Sequence, residues 1–324
     1  MASLKDIADK AGVSIASVSR VLNNSGYISQ KTHTRVKRAI QKLNSESSST
    51  AIAPQGTRAK VIGIIFPNVS TPFFGELTER LEKILFTRGY HVLICNSDDS
   101  DLKEREYLNM LTNSSVDGII SSTHNDSIEE YNQNQMPIVS FDRFLSKTIP
   151  TVSSDNYQGG CLAAKALLDT GVKKPAVITG FSAYFKTTLG RVNGFSDTFK
   201  EFGIDVLSYT ATEQNALLKS ERLLQLLKEG VADSYFCNDD TTAFMLIAQA
   251  MKIGIRIPED IKVIGYDGTA IMRQCFPSLT TVVQPIEELA LLIVELLVAR
   301  IKNPNVRQNK LYTLPVTLHK GTTA

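Results

Sequence analysis

Several short apolar runs of this sequence end in polar or aromatic residues whose types suit the recognition of hydroxyl groups. Carboxylates, amides and guanidinium groups pair with adjacent hydroxyls, and aromatic rings stack on the C–H face of a sugar ring. The set therefore points to a carbohydrate ligand, although Asn, Asp and Ser are also the ordinary residues of turns. These residues are Asn68 and Ser70 with Phe73 and Phe74, Asn96 with Ser97, Ser122 with His124, Asp142 with Arg143, Asn238 with Asp239, and Asp267.

The elements that would position these side chains come from an alternation that begins near residue 60. Short apolar runs cover residues 61–66, 91–95, 118–121, 138–141, 176–179, 233–237 and 262–266. Helical patterns lie between them, over about 73–88, 102–114, 157–170, 188–202, 214–229 and 240–253. This alternation predicts an α/β fold with parallel sheets covered by helices, and its length favours two similar lobes with a cleft between them. Ligands of such sheets bind beyond the carboxyl ends of the strands.

The N-terminal residues follow a different pattern, that of two short helices joined by a glycine turn. Ser3 and Ser14 stand where the two helix caps are expected, and Gly12 supplies the turn. The residues predicted to face inward are Leu4, Ile7, Ala8, Ala11, Val18, Val21 and Leu22. Those of the second helix that remain free to face outward are Ile15, Ala16, Ser17, Ser19 and Arg20. A helix-turn-helix of this kind places its second helix in the major groove of DNA.

Charge supports a nucleic-acid partner for this segment. Residues 1–44 contain eight basic and two acidic residues, a net charge of +6, whereas the whole chain carries +2. The remaining residues therefore carry −4, so the positive charge is concentrated at one end, as phosphate binding requires. A third helix is predicted over about residues 30–43, with Ser29 as its cap. Residues 44–56 are then polar, serine-rich and interrupted by Pro54, which is typical of a flexible linker.

The bulk composition excludes several classes of protein. No apolar run reaches the roughly 20 residues that span a bilayer, and the N-terminus has no apolar signal-peptide core, which predicts a cytoplasmic protein without a membrane partner. The four cysteines and four histidines show neither a Cys-x-x-Cys pair nor metal-ligand spacing, so no disulfide, metal or cofactor is expected. The absence of a nucleophile elbow, a phosphate-binding loop and a dinucleotide fingerprint argues against an enzyme that would use Asp142 and Asp267 as paired carboxylates.

Over essentially its whole length the chain resembles the LacI/GalR family of bacterial sugar-responsive repressors. The N-terminal motifs that carry the resemblance are Lys5-Asp6-Ile7-Ala8, Ala11-Gly12-Val13-Ser14 and Ser17-Val18-Ser19-Arg20-Val21-Leu22-Asn23. Later motifs include Pro72-Phe73-Phe74, Phe141-Asp142-Arg143, Arg191-Val192-Asn193-Gly194-Phe195, Cys237-Asn238-Asp239-Asp240, Gly265-Tyr266-Asp267-Gly268 and Thr281-Val282-Val283-Gln284-Pro285. Cys95-Asn96-Ser97 and Ser153-Ser154-Asp155-Asn156-Tyr157 are similar to the sucrose operon repressors of Gram-positive bacteria, and ribose operon repressors share parts of this pattern.

The resemblance implies a homodimer that binds a pseudo-palindromic operator and releases it when a small sugar or sugar phosphate enters the cleft. It implies DNA contacts from Ser14, Ile15, Ala16, Ser17, Ser19, Arg20, Asn23 and His33, with bases read by Ile15, Ala16 and Arg20. It implies effector contacts from Phe73, Phe74, Ser122, Asp142, Arg191, Asn238, Asp267 and Gln284, although Arg191 also suits a salt bridge within one lobe. Sucrose is the expected effector, ribose is the alternative, and a co-repressor in place of an inducer is a further alternative.

The domain organisation expected from these patterns has three parts. Residues 1–44 form the DNA-binding domain, 45–60 the linker, and 61–324 the effector-binding and dimerisation domain, with the helix near residues 73–86 as a candidate for dimer contacts. The two lobes of the last part are expected to comprise about 61–155 with 286–313, and about 156–284 with 314–324. A sugar-binding protein of periplasmic transport shares the two-lobed fold but would lack residues 1–44.

The linker departs from the pattern of the family. Family members carry Tyr-x-Pro-Asn-x-x-Ala-Arg-x-Leu after the third helix, as a hinge helix whose leucine enters the minor groove. Here Ala51 alone of that pattern remains, and Pro54 stands at the leucine position. Since proline removes a hydrogen bond from a helix interior, we expect weaker operator bending and looser coupling between sugar binding and DNA release.

Overall fold

The computed structural model describes residues 4–22, 29, 32, 34–36, 38–39, 60–113, 116–122, 128–133, 136–180, 186–211 and 215–324. Side chains are described for all of these except residues 4, 5, 16, 22, 132, 133 and 186–188. The chain separates into two compact units, Met1–Ala59 and Lys60–Ala324. The Ser3 cap, the nature of the 44–56 linker and the position of His124 are predictions that fall outside the described residues.

The N-terminal unit contains the predicted helix-turn-helix, with α1 over Leu4–Ala11 and α2 over Ile15–Leu22. Gly12 adopts a φ of 61°, a conformation that glycine reaches without a steric penalty. The residues between 32 and 39 that the structure describes are also helical, and the Thr32 amide donates to Ser29 Oγ at 3.3 Å, as predicted for a cap. A small core joins these helices, made of Ile7, Ala8, Ala11, Val18, Val36 and Ala39.

The second unit alternates strands with helices along the chain. Its first half contains β1 (Val61–Phe66), α3 (Pro72–Thr87), β2 (His91–Asn96), α4 (Asp101–Asn113), β3 (Gly118–Ser121), α5 (Glu130–Gln133), β4 (Ile138–Phe141) and β5 (Thr151–Ser154). Next come α6 (Asn156–Leu168), β6 (Pro175–Thr179), α7 (Lys186–Lys200), β7 (Leu207–Thr210), α8 (Ala216–Glu229), β8 (Ser234–Cys237) and α9 (Asp240–Lys252). The remainder contains β9 (Lys262–Asp267), α10 (Ala270–Cys275), β10 (Thr280–Val283), α11 (Ile286–Lys302), β11 (Leu311–Leu314) and β12 (Thr317–His319).

Two six-stranded sheets define two lobes, which confirms the predicted fold class. The first sheet has the order β2-β1-β3-β4-β5-β11 and the second has the order β7-β6-β8-β9-β10-β12. All neighbouring strands are parallel except β10 and β12. The order reverses at β1 in one sheet and at β6 in the other, and a ligand crevice is expected beyond the carboxyl ends of the strands at such a reversal.

The chain passes between the lobes three times, after β5, between β10 and α11, and between β11 and β12. In the first lobe, Leu77, Leu81 and Leu85 recur at four-residue spacing on α3 and pack with α11 on the sheet. In the second lobe, the ring of Phe195 stacks on Phe236 at a centroid distance of 4.9 Å. None of the described helices is both long and apolar enough to cross a membrane.

Helices α6 and α7 approach each other closely because glycines face the contact. A Cβ atom on Gly160 would lie 2.0 Å from the carbonyl oxygen of Arg191, and one on Gly194 would lie 2.0 Å from the carbonyl oxygen of Tyr157. Backbone atoms on both sides leave no flexible group that could move aside. This packing fixes where α7 holds Arg191 relative to the start of α6.

The close approach predicts that Gly160→Ala destabilises the protein. The added methyl group would overlap the α7 backbone, and overpacking of this kind costs about 1–3 kcal/mol in the free energy of unfolding. Urea denaturation of the purified protein measures this change. Gly180→Ala is the matched control, because its Cβ would meet no heavy atom closer than 4.0 Å, and we expect a much smaller effect there. Equal stability of the two variants would contradict the packing described.

Candidate functional site

A cleft of about 320 Å³ lies between the carboxyl ends of the two sheets. This volume lies at the lower end of the range of small-molecule sites, about 300–1,000 Å³. The structure brings all eight of the predicted effector residues to its wall: Phe73, Phe74, Ser122, Asp142, Arg191, Asn238, Asp267 and Gln284. The first four belong to the first lobe and its loops. The others belong to the second lobe or to the crossing that leaves it.

Two carboxylates occupy strained positions at the ends of their strands. Asp142 follows β4 with a φ of 55°, and Asp267 ends β9 with a φ of 107°. Positive φ is uncommon for residues other than glycine and costs free energy that the surrounding contacts must offset. Residues held in this way often belong to binding sites, and both of these line the cleft.

Asp142 is held by groups on either side of it. Its Oδ2 accepts a hydrogen bond from Arg143 Nη1 at 2.9 Å, and its Oδ1 accepts one from Asn156 Nδ2 at 3.0 Å. The pKa of the Arg143 guanidinium is lowered by burial, and the neighbouring Asp142 charge acts against that shift. The first lobe therefore presents a carboxylate of fixed orientation to the cleft.

Arg191 is the central cation of the second lobe and is almost wholly buried. Its Nε donates to Asn156 Oδ1 at 2.6 Å, and its Nη1 donates to the carbonyl oxygen of Asn238 at 2.8 Å. The guanidinium carbon lies 3.6 Å from the centroid of the Tyr266 ring, a cation–π geometry. The Nη1 atom is 4.0 Å from Asp267 Oδ1, so the side chain both lines the cleft and forms a long ion pair within its lobe.

Gln284 joins the two lobes at the second crossing. Its Nε2 donates to Asp267 Oδ1 at 2.7 Å, and its Oε1 accepts from Ser154 Oγ, also at 2.7 Å. The pKa of Asp267 is raised because burial disfavours its charged form, and the charge of Arg191 opposes this shift. Both ends of the Gln284 amide are thus engaged while its side chain faces the cleft.

The apolar wall comes from two adjacent phenylalanines at the start of α3. Phe73 is buried and stacks on Phe141 with ring centroids 5.5 Å apart, whereas Phe74 is partly exposed and lies 5.0 Å from Phe66. Phe74 is therefore the more accessible ring for a sugar face. Ser122 Oγ, on the same lobe, is buried and has no hydrogen-bond partner among the described residues. Because buried hydroxyls normally form hydrogen bonds, this group is suited to bond with a ligand in the cleft.

Cationic and acidic side chains are equal in number among the described residues of the cleft wall. The cations are Arg143, Arg191 and Lys219, and the carboxylates are Asp142, Asp239 and Asp267. Each cation already has a protein acceptor, and for Lys219 this is Thr242 Oγ1 at 2.6 Å. Such a wall suits a neutral ligand with several hydroxyls.

Some polar residues at the strand ends lie outside the cleft wall and have a structural role instead. Asn96 Oδ1 accepts from the Val69 amide at 3.1 Å, Asn68 Oδ1 accepts from the Ser70 amide at 2.8 Å, and Ser97 Oγ donates to the Phe66 carbonyl. For these residues the interpretation as turn residues is correct. Asp239 does both, because it caps α9 through the Thr242 amide at 2.7 Å and lines the cleft.

The structure also places in the cleft wall, or directly behind it, residues that are not among the eight predicted effector contacts. Arg143 was identified at a strand end and Asn156 within a motif, but neither was assigned to the effector site. Lys219 and Thr241 carry no sequence signal, because both belong to helices and reach the cleft only through the packing of α8 and α9.

The second helix of the N-terminal unit has the predicted exposed face. Ser14 caps it, accepting from the Ser17 amide at 3.2 Å, and Ile15 and Arg20 are exposed while Ser17 and Ser19 are partly exposed. Asn23, His33 and the Ala16 side chain lie outside the described residues. Within its unit this helix offers an apolar and a cationic side chain, the types that contact thymine methyls and guanine edges.

A buried carboxylate supports the Asp267 turn from behind. Asp240 Oδ2 accepts from the Gly268 amide at 2.8 Å, and its Oδ1 accepts from Thr281 Oγ1. Burial raises its pKa to about 7, while these two hydrogen bonds act in the opposite direction. Asp240 therefore holds the strained end of β9 in place without lining the cleft.

Family models match almost the whole chain. Residues 3–46 match the model described as bacterial regulatory proteins, lacI family, and residues 59–311 match that of periplasmic binding proteins and the sugar-binding domain of the LacI family.

Individual relatives agree with the family models. The sucrose operon repressor of Pediococcus pentosaceus is 44% identical over 99% of both chains. The ribose operon repressor of Halalkalibacterium halodurans is 34% identical over 98% of this chain and 96% of its own. A periplasmic binding protein/LacI transcriptional regulator from Alkaliphilus metalliredigens, solved with D-xylulofuranose, is 32% identical with a TM-score of 0.74 and covers 82% of this chain and 99% of its own.

The buried Asp240 predicts a pH dependence of stability. The pKa of Asp240 is higher in the folded chain than its usual value of 3.8, so the folded state binds this proton more tightly than the unfolded state does. Protonation of Asp240 therefore stabilises the folded state at low pH. That contribution is complete below pH 3.8 and is lost as the pH rises to about 7. Asp240→Asn removes it, so the stability of the variant relative to the wild type should rise over this range.

Urea midpoints measured between pH 4 and pH 8 would show this trend. The control is Asp260→Asn, since Arg256 lowers the pKa of that carboxyl to about 2 and it stays charged throughout the measured range. An Asp240→Asn profile parallel to that of the wild type would refute the assignment.

Proposed function

Because this chain belongs to the LacI family of bacterial DNA-binding repressors, we propose that it represses a sucrose-utilisation operon and releases the operator when a sugar occupies its cleft. The observation that carries the proposal is the convergence of eight predicted effector residues from both lobes on one cleft, in a chain that also contains an exposed recognition helix. Its relatives are regulators and repressors, which confirms the prediction of a binding protein rather than an enzyme.

The effector proposed for this cleft is an uncharged sugar with a furanose ring. The balanced charges of the wall, with each cation already partnered, favour a neutral polyol over a sugar phosphate. Among the sugars named for its relatives, sucrose contains one furanose ring and D-xylulofuranose is itself a furanose, which favours a five-membered ring. In sucrose that ring is the fructosyl unit, which we place between Phe74, Asp142 and Arg191.

The DNA partner is proposed to be a palindromic operator read by two copies of α2. Arg20 suits a bidentate contact with guanine, and Ile15 suits a thymine methyl group. Ser14, Ser19, Asn23 and His33 are proposed to contact phosphates, which position the domain without reading bases, and Ser17 is proposed as a further DNA contact. Such binding places the protein with the chromosome in the cytoplasm.

The two copies of α2 require a dimer, and the first lobe offers a surface for it. Phe86 at the end of α3 and Leu93 and Ile94 on the edge strand β2 leave apolar side chains exposed. A second copy of this chain is the proposed occupant, because a two-fold dimer matches a palindromic operator. We therefore propose that α3 contributes to the dimer through its C-terminal end, which carries Phe86.

The proposed release is a shift between two arrangements of the lobes. A sugar that contacts Asp142 on one lobe and Arg191 on the other binds best when the lobes lie at the spacing seen here. It can weaken operator binding only by its differential affinity for the two arrangements, typically about 1–3 kcal/mol. A co-repressor would use the same cleft with the opposite sign.

Sugar response is tested on a DNA site selected from a random library by the full-length protein. We expect sucrose to lower the affinity for that site by about 5- to 150-fold in a mobility-shift assay. Fructose, ribose and the phosphates of sucrose and fructose are run in parallel. The balanced charges of the cleft predict that the phosphates act more weakly than the neutral sugars.

Two variants make the assay specific for the cleft. Asp267→Ala should abolish the sugar response while leaving operator binding nearly intact, and Arg256→Ala, at an exposed ion pair outside the cleft, should behave as the wild type. Failure to select any DNA site would overturn the repressor assignment. Tighter binding with sugar would reverse the sign, and a response to ribose alone would favour the ribose alternative.

Base reading by Arg20 gives a separate prediction. Arg20→Ala should lower affinity for the selected site by about 5- to 150-fold, the equivalent of 1–3 kcal/mol for a bidentate base contact. Arg20→Lys keeps the charge but loses the paired donors, so it should bind scrambled DNA as well as the wild type does and lose preference for the selected site.

Fluorescence anisotropy at two salt concentrations separates these effects. Sugar affinity, measured by calorimetry, should be unchanged in both variants. If Arg20→Lys retains full preference for the selected site, Arg20 acts through phosphate charge alone.

A further inference from the structure

Asn156 occupies a position between the two sides of the cleft without lining it. It is the first residue of α6, immediately after the chain leaves β5 and the first lobe. Its side chain is buried, and it is absent from the cleft wall. Asp155 caps the helix through the Gln158 amide at 2.9 Å, so the Asn156 side chain is free of a capping role.

The amide of Asn156 links a carboxylate of one lobe to a cation of the other. Its Nδ2 donates to Asp142 Oδ1 at 3.0 Å and to the Ser154 carbonyl at 3.1 Å. Its Oδ1 accepts from Arg191 Nε at 2.6 Å and from the Tyr266 hydroxyl at 3.4 Å. Every hydrogen-bonding position on the amide oxygen and both amide hydrogens has a protein partner.

This arrangement needs a donor and an acceptor on one short side chain. A carboxylate at this position would face the Asp142 carboxylate, and an aliphatic side chain would leave the buried groups of Asp142 and Arg191 without a partner. Asn156 also lies close to the α7 backbone, because a Cβ built on Gly190, next to Arg191, would be only 3.3 Å from the Cβ of Asn156. Small shifts of the amide would therefore be transmitted to both charged groups.

We propose that Asn156 is a positioning residue that sets the mutual orientation of Asp142 and Arg191, and thereby determines sugar affinity without touching the sugar. The inference rests on the proposed function, since it assumes that Asp142 and Arg191 hold a sugar. The hydrogen-bond direction makes it specific: Asp142 needs a donor from Asn156, and Arg191 needs an acceptor.

Asn156→Asp tests this direction through pH. The charged groups that face the new carboxyl are Asp142 and Arg143 from the first lobe and Arg191 and Asp267 from the second, with the Tyr266 hydroxyl beside it. Two adjacent carboxylates raise the pKa of one of them. At low pH the shared proton restores a donor toward Asp142, whereas at high pH the two charges repel each other.

The measurement is calorimetric titration of the full-length protein with sucrose, fructose and ribose between pH 5 and pH 8. The ratio of variant to wild-type affinity should be nearest to one at pH 5 and should fall by about tenfold or more towards pH 8, the size expected for a hydrogen bond between charged groups. Asn156→Leu should lose affinity to a similar degree at every pH, because it offers neither donor nor acceptor. Both variants should still select the same DNA site in the absence of sugar, which shows that they fold.

Asn215→Asp is the matched control. Asn215 caps α8 by accepting from the Leu217 amide at 2.9 Å, a role that a carboxylate fills equally well, so its affinity ratio should stay near one throughout. A pH-independent ratio for Asn156→Asp, or unchanged affinity in Asn156→Leu, would overturn the inference alone. A wild-type protein that binds none of the three sugars would overturn the proposed function and this inference with it.

Discussion

The cleft is arranged around the buried guanidinium group of Arg191. Burial of a charge is costly unless nearby groups accept its hydrogen bonds and stabilise it electrostatically. Arg191 meets this requirement with the Asn156 amide, the Asn238 carbonyl and the face of Tyr266, which come from α6, from the end of β8 and from β9. The second lobe is built so that these three elements converge on one side chain, and the planar fork of Arg191 is thereby presented in a fixed orientation.

That convergence requires backbones to approach more closely than side chains normally allow. A Cβ on Gly160 would overlap the Arg191 carbonyl, and one on Gly159 would lie 2.7 Å from the Tyr266 ring. The glycines of α6 therefore let both the helix that carries Arg191 and the ring that stacks on it come close. Asp267 at the end of β9 has a strained backbone in the same region. The next amide, that of Gly268, donates to the buried Asp240, and this contact holds the strained turn in place.

Elements with a local hydrophobic pattern can be predicted from the sequence. Residues that reach the cleft only through tertiary packing cannot. Strands β4, β8 and β9 are largely apolar runs, and the polar residues at their ends are Asp142, Asn238 and Asp267. Hydrophobic patterning does not predict strand β5, because its residues, Thr-Val-Ser-Ser, are buried but mostly polar. The pattern therefore does not mark the end of this strand or Asn156, which follows it. Arg191 and Gln284 came from family resemblance alone, since one lies inside a helix and the other at a crossing. Lys219 reaches the cleft only through the packing of α8, which no local pattern encodes.

Hydrogen bonds that join the lobes bear on how a sugar could act as a switch, and three of them involve residues of or beside the cleft. Ser154 donates to Gln284, Asn156 donates to Asp142, and the Ala270 amide donates to Glu76 Oε2 of α3 at 2.7 Å. All three are made by protein groups alone, so the arrangement seen here has support that does not depend on a ligand. A sugar contributes to the lobe equilibrium only through contacts that it makes in one arrangement and loses in the other. Because Asn156 and Gln284 each hold a lobe-joining contact and a cleft carboxylate at once, the same two amides align the binding groups and set the spacing of the lobes. Sugar affinity and lobe arrangement are therefore not independent properties of this protein, and a change at either amide alters both.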